Sequence, residues 1–336
     1  MHVSTELLVY YSATFLLSLG LCRLYIGSKR ISISDIPNER SMHQAATKKS
    51  GGIWIFFSSS LILIVWSYFG RSEFPLHWWT GVFFFFLVGF GDDVKGLSPY
   101  LRFGAEFVFL VAWIGLAPFR ISLFGMDLGV SPGGYGEIAL ISLYLLFFVN
   151  LCNFMDGLDT YLVSNLVFTA FATILLTGND LPFSYLSIFA ALFGFLAWNL
   201  PKAKLFLGDS GSLFLGFALG ALPFYVQGKK PFEVSDLFFL APVFFTDGLL
   251  TIFVRLKKKE NIFQAHRIHL YQLFAVRTHR KGWVALLFTL ANIPALLAWA
   301  YLPRYWSFFV SLVLYSAAYS YFRRSVSKAP LFEKNP

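Results

Sequence analysis

The chain has 336 residues, 57% of them hydrophobic, 20% aromatic and only 13% charged. A soluble domain carries roughly 25% charged residues, so the composition excludes an ordinary soluble protein. The alternating ten-residue segments of a membrane β-barrel are also missing. The net charge of +9 reads as basic loops beside a membrane rather than a nucleic-acid surface.

The expected fold is an all-α polytopic integral membrane protein, a single membrane-embedded domain over residues 1–336 with about 11 transmembrane helices. A span needs about 20 apolar residues. Candidates lie near residues 4–22, 53–70, 76–91, 103–119, 136–154, 160–177, 182–199, 210–226, 235–254, 283–301 and 305–322. The first has no small-residue cleavage site after it and reads as a span, not a signal peptide. Cys22 and Cys152 lie in or beside apolar runs and read as small buried hydrophobes. Trp78 and Trp79 read as part of an interfacial aromatic belt.

Of the 27 Lys and Arg, 22 fall on alternate loops beginning with the one after the first span. Basic loops stay in the cytoplasm, so the N-terminus is expected in the periplasm and the C-terminus in the cytoplasm. This assignment uses only apolar length and charge, yet it puts four polar motifs on the cytoplasmic face. An ionised carboxylate near hydrocarbon costs several kcal/mol and usually marks a site.

The first motif is GFGDDVKGLSPYLRF. The adjacent carboxylates of Asp92 and Asp93 suit a general base or a nucleophile beside a cation. Lys95 and Arg102 are near enough in sequence to meet phosphate oxygens. The structural alternative is a solvated loop with an acidic cap for the next helix. In NLCNFMDGLDT, Asn150, Asn153, Asp156 and Asp159 recur every three residues and are expected along one face of a helix end. Their oxygens suit Mg²⁺; the alternative is a polar capping turn. In FLGDSGSLFLG, a Gly-rich turn runs into a helix N-terminus, a seat for phosphate, and Asp209 is placed to hold a metal. The alternative is an Asp or Ser N-cap. In AHRIHLYQLF, His266, Arg267 and His269 suit pyrophosphate or sugar contacts better than zinc, since no third soft ligand is near. Asp247, inside an apolar run, either lines a cavity or makes a structural ion pair. The first cytoplasmic loop, DIPNERSMHQAATKKSGG, reads as an ordered substrate-contacting loop or as a plain linker. Carboxylates for Mg²⁺ with groups for phosphate point to phosphoryl transfer. A transporter with a carboxylate-lined cavity is the alternative, although transporter sites sit near the midplane in repeated halves, and no internal repeat is visible.

GDDVKG, NFMDGLD, WNLPKAKLFLGDSGS, PVFFTDGLLTIFVR and IFQAHRIHLYQ together resemble the polyprenyl-phosphate N-acetylhexosamine-1-phosphate transferase superfamily, the glycosyltransferase 4 family, from about Pro37 to Gln272. The last-loop motif looks like the O-antigen-initiating branch, which is related to phospho-MurNAc-pentapeptide translocase. The resemblance implies transfer of a sugar 1-phosphate from a UDP-N-acetylhexosamine to undecaprenyl phosphate, releasing UMP. It implies Mg²⁺, with Mn²⁺ as a substitute, a homodimer, and the inner membrane of a bacterium with the active site facing the cytoplasm. No nucleic acid is involved. Site loops are expected near 23–52, 91–102, 153–160, 199–211 and 255–282. By analogy Asp92, Asp93 and Asp156 are catalytic. Asp209 holds Mg²⁺, with Asn153 as a second ligand. Leu158, Asp159 and Asn199 hold the uracil with Phe206 stacking near it. His266, Arg267 and His269 meet the sugar-phosphate end, and Lys95 contacts substrate. Asp93→Asn is expected to abolish turnover while sparing expression. Two departures stand out: Thr160 replaces the family's glycine after DGLD, and ATKKSGG replaces a Pro-rich approach to the Gly51–Gly52 pair.

Overall fold

A computed structural model describes residues 5–30, 33–37, 45–116, 120–123, 126–129, 134–177, 181–226, 233–261 and 266–327. Most of the PNERSMH motif and the basic residues Lys229, Lys230, Lys328 and Lys334 lie outside these. The fold is all-α. In order, the elements are α1 (Thr5–Gly27), β1 (Ser34–Asp35), β2 (Thr47–Lys48), α2 (Gly52–Tyr68), α3 (Leu76–Lys95), α4 (Pro99–Gly115), β3 (Arg120–Leu123), β4 (Met126–Gly129), α5 (Tyr135–Phe154), α6 (Tyr161–Thr177) and α7 (Phe183–Asn199). They continue as α8 (Asp209–Gly220), α9 (Val234–Leu240), α10 (Pro242–Lys257), α11 (Leu270–Thr278), α12 (Lys281–Leu290), α13 (Ile293–Tyr301) and α14 (Arg304–Ser327).

Among the described residues, three segments are long and apolar enough to cross a bilayer: Thr5–Gly27, Tyr135–Phe154 and Lys281–Tyr301. The α9–α10 pair would be a fourth, bent by 95°. The ninth apolar run is therefore broken, at Ala241, where Pro242 opens a new helix. Proline lacks the N–H that would continue the preceding helix. Asn292 marks the analogous break between α12 and α13, where its Oδ1 accepts the Val243 N–H at 3.2 Å and its amide donates to Asn165 at 2.8 Å.

At the centre lies α8, with every residue from Ser210 to Gly220 buried among α2, α3 and α5. A helix apolar on all sides belongs in a core. Glycines let its neighbours close in: a Cβ on Gly52 would lie 2.2 Å from Gly211 Cα. Cys22 and Cys152 are free and buried, as the sequence implied. Trp78 and Trp79 are not an interfacial belt. They are 3% and 7% exposed, Trp79 facing Phe56 of α2 and Trp78 facing Tyr225.

The loops are more structured than the sequence suggested. β1 and β2 pair antiparallel, as do β3 and β4. The basic loop 255–282 contains α11, opened by a reciprocal capping box between His269 and Gln272.

Candidate active site

The C-terminal ends of α3, α5 and α7 meet the N-terminal ends of α2 and α8, and this brings the motifs together. Asp93 sits at the α3 end, its side chain 1% exposed. Its Oδ1 accepts the Asp209 N–H at 3.1 Å, and its Oδ2 accepts the Ser210 N–H at 3.1 Å and the Ser50 hydroxyl at 2.7 Å. Lys49 Nζ lies 3.5 Å away. The α8 N-terminus, expected to seat a phosphate, thus already holds an internal anion. The favourable dipole and free N–H groups are those any anion would use. Gly208 makes the approach possible: its φ is +76°, and a Cβ there would lie 2.6 Å from Asp93 Oδ2 and 2.8 Å from Ser50 N.

Asp92 turns the other way. Its Oδ1 accepts the Leu97 N–H at 2.6 Å and its Oδ2 pairs with Arg102 at 2.5 Å. Arg102, which the sequence paired with Lys95 as a candidate for phosphate oxygens, is the one of the two that enters the acidic cluster. From α4 it also donates to Asn153 Oδ1 at 3.2 Å and comes within 4.0 Å of Asp209. Lys95, by contrast, is exposed at the α3 end. Its position seven residues before Arg102 gave no hint of which cation would point inward.

Asn150 and Asn153 lie on α5, which ends at Phe154, while Asp156 and Asp159 fall in the loop beyond it. The three-residue repeat therefore does not continue as one helical face. Asn153 donates to Asp209 Oδ1 at 2.5 Å and to Ser212 at 2.9 Å. Asp156 is set deep among protein atoms yet keeps part of its surface open. Burial, and then the charges of Asp209, Asp93 and Asp159, push its carboxyl well above the usual carboxylate range. The four acids thus share one electrostatic neighbourhood.

The residues expected to hold the uracil meet at the next turn. Thr160 has φ +68°, the left-handed region that explains why a glycine suits this position. Its strain is offset by two bonds to Asn199: N–H to Oδ1 at 2.8 Å, and Oγ1 to the Asn199 carbonyl at 2.7 Å. Asn199 also donates to Leu205 O at 3.0 Å and is 4% exposed. Its amide is thus a tie between loops, not an open donor. Leu158 is buried, at 5%. Asp159 accepts the Ala203 N–H at 3.2 Å, and Phe206 is partly exposed. The first loop joins this edge as well: the Gly51 N–H donates to Phe206 O at 2.9 Å and the Gly52 N–H to Leu207 O at 2.9 Å.

The last loop repeats the Asp93 arrangement. Asp247, 2% exposed, accepts the Leu270 and Tyr271 N–H groups at 2.9 and 3.3 Å and lies 3.4 Å from His269 Nδ1. His269 is therefore buried against Asp247, while His266 and Arg267 are partly exposed. Burial, then the neighbouring His269 and Arg255, lower the His266 pKa to about 3. Tyr271 links this loop to the acids, its hydroxyl accepting the Gly157 N–H at 3.2 Å. Below Asp247 and Leu270, an apolar cavity of about 250 Å³ lies between α10, α11, α12 and α14, walled by Phe274, Leu287, Phe288 and Phe322.

Residues 76–227 match the model of glycosyl transferase family 4. The chain is similar to that family over this stretch. The matched stretch holds the paired aspartates, the NFMDGLD loop and the GDSGS turn of the chain. The chain is 26% identical over 312 residues to the undecaprenyl-phosphate alpha-N-acetylglucosaminyl 1-phosphate transferase of Pasteurella multocida, covering 88% of this chain and 87% of the relative. The Thermotoga maritima protein of the same name is 28% identical over 253 residues, 75% and 76% of the two chains. The phospho-N-acetylmuramoyl-pentapeptide-transferase of Limosilactobacillus fermentum is 28% identical over 229 residues, 62% and 70% of the two.

Proposed function

We propose that this protein transfers N-acetylhexosamine 1-phosphate from a UDP-sugar to undecaprenyl phosphate at the cytoplasmic face of a bacterial inner membrane, releasing UMP and initiating O-antigen or related glycan synthesis. The chain acts as one membrane-embedded unit with eleven crossings, its N-terminus periplasmic. The observation that carries the reading is the meeting of five separate loops around Asp93, Asp156 and Asp209. Relatives whose names specify undecaprenyl phosphate as acceptor support it.

The site fits Mg²⁺. Among the described residues no three His, Cys, Asp or Glu form a ready-made cage. Mg²⁺ is ordinarily held by one or two carboxylates with the rest of its shell from water and substrate phosphate. Asp209, its side chain 36% exposed, would hold it. Asn153 turns its NH₂ group toward Asp209 and its oxygen toward Arg102, so it joins the shell with its amide turned over. When bound, the ion would neutralise pyrophosphate charge as the anhydride breaks.

The oxygens of Asp92 and Asp93 are engaged by Arg102, Leu97, Ser50 and the α8 N-terminus. Asp156 makes no side-chain hydrogen bond to a described residue and is the acid open to take a proton from the lipid phosphate. His266, neutral, and Arg267 face the sugar-phosphate end, with His269 held behind them by Asp247. The apolar cavity beneath Leu270 seats the first isoprene units of the acceptor. The test is UMP release from membranes supplied with undecaprenyl phosphate and a panel of UDP-N-acetylhexosamines. Release that requires both substrates and is lost in Asp156→Asn supports the reading. Absence of release with every donor, from protein shown to be folded, refutes it.

A further inference from the structure

Glu106 takes no part in the chemistry above, yet it is a fully buried carboxylate, 0% exposed, one turn along α4 from Arg102. Its Oε2 accepts from Asn150 at 2.6 Å. Its Oε1 lies 3.7 Å from Arg102 Nε, and both of these atoms are buried without a hydrogen bond. Buried polar atoms are rarely left unpaired, and here two complementary ones face each other just beyond the ordinary length of about 2.9 Å. At its other end the same guanidinium reaches forward to Asp92, to Asn153 Oδ1 and toward Asp209.

We propose that Arg102 is the resident counter-ion of the Asp209 seat, and that Glu106, held by Asn150, is the position to which its guanidinium is drawn when a divalent ion enters. The proposal rests on the reading that Asp209 binds Mg²⁺. A divalent ion and a guanidinium repel one another across the same few oxygens. The entering ion displaces Arg102 backward, and the waiting Glu106 oxygen completes its bond to Nε. The same movement releases Asn153 Oδ1 from Arg102, which frees an oxygen ligand where the resting arrangement offers an NH₂ group. Glu106 is thus a positioning residue, acting through Arg102.

The test uses the purified full chain in nanodiscs, without substrates, with Mn²⁺ as probe and free Mn²⁺ read by electron paramagnetic resonance. Asp209→Asn should abolish binding. Glu106→Gln should weaken it by about tenfold, within the usual range of couplings between sites. Arg102→Gln should tighten it, and the double variant should bind like Arg102→Gln alone, because Glu106 matters only through Arg102. Should Glu106→Gln not fold, Asn150→Ser, which unseats Glu106, should weaken binding in the same direction. Unchanged affinity in Glu106→Gln, or an equal loss with and without Arg102, overturns the proposal while Asp209→Asn still reports on the metal reading. Wild-type affinity in Asp209→Asn overturns that reading itself.

Discussion

Asp92 and Asp93 are neighbours in the chain and occupy different environments, because successive side chains on a helix diverge by about 100°. One meets α4 and the other α8. Their pairing was legible in the sequence, but their division of labour was not. Asp93→Asn illustrates the consequence. An amide cannot accept from both N–H groups of α8 and from Ser50, so a buried donor is left unsatisfied at a cost of about 1–3 kcal/mol. Turnover should fall together with the melting temperature in detergent, where the sequence alone suggested a purely chemical loss. A variant that loses turnover at an unchanged melting temperature would restore a direct chemical role. His266 gives a second residue-scale prediction. Its pKa is lowered to about 3, below the ordinary His value of about 6.5. The unfolded chain therefore takes up the proton first as pH falls. The stability tied to neutral His266 is complete above about pH 6.5 and is lost as pH falls from there toward 3. Melting of wild type and His266→Gln, compared from pH 7 to pH 4, should show the wild type losing ground to the variant. Parallel curves would contradict this.

At the scale of elements, the entry to α8 is the decisive piece. The GDSGS pattern correctly announced a glycine turn into a helix. It could not announce that the waiting anion would be a side chain from 116 residues earlier. Gly208→Ala puts a Cβ against Asp93 and Ser50 at a φ of +76°, a strain of order 1–3 kcal/mol before the clash is counted. Expression or melting temperature should drop sharply, and a well-folded, active Gly208→Ala protein would contradict the described turn. The Thr160 turn is a gentler case. Glycine there relieves strain and loses the Oγ1 bond, whereas alanine loses the bond and keeps the strain. Melting should therefore rank Thr160→Ala lowest, with Thr160→Gly near wild type. The capping box of α11 was visible as HLYQ but was overshadowed by the basic charge around it. The short ribbons β1–β2 and β3–β4 carry too few residues for an alternating pattern to register.

On the scale of the molecule, the alternation of basic loops predicts which ends face the cytoplasm, and thiol labelling tests it cleanly because both native cysteines are buried. A cysteine placed at the exposed Lys258 or Arg280 should react with an impermeant maleimide in inside-out vesicles and stay protected in right-side-out ones. The opposite result would invert the topology. Arg304, expected on the face with few basic residues, pairs with the buried Glu233 and lies 3.4 Å from Asp236, joining α14 to α9.

Composition, apolar run lengths and polar motifs are local properties, so the sequence by itself determined the helical, apolar class, the resemblance to a transferase family and the segments that meet at the candidate site. Which carboxylates are tied to helix ends, which one stays open, and that Arg102 rather than Lys95 enters the acidic cluster were decided only by the tertiary structure. Those outcomes depend on contacts between residues tens to more than a hundred positions apart, which no local pattern encodes.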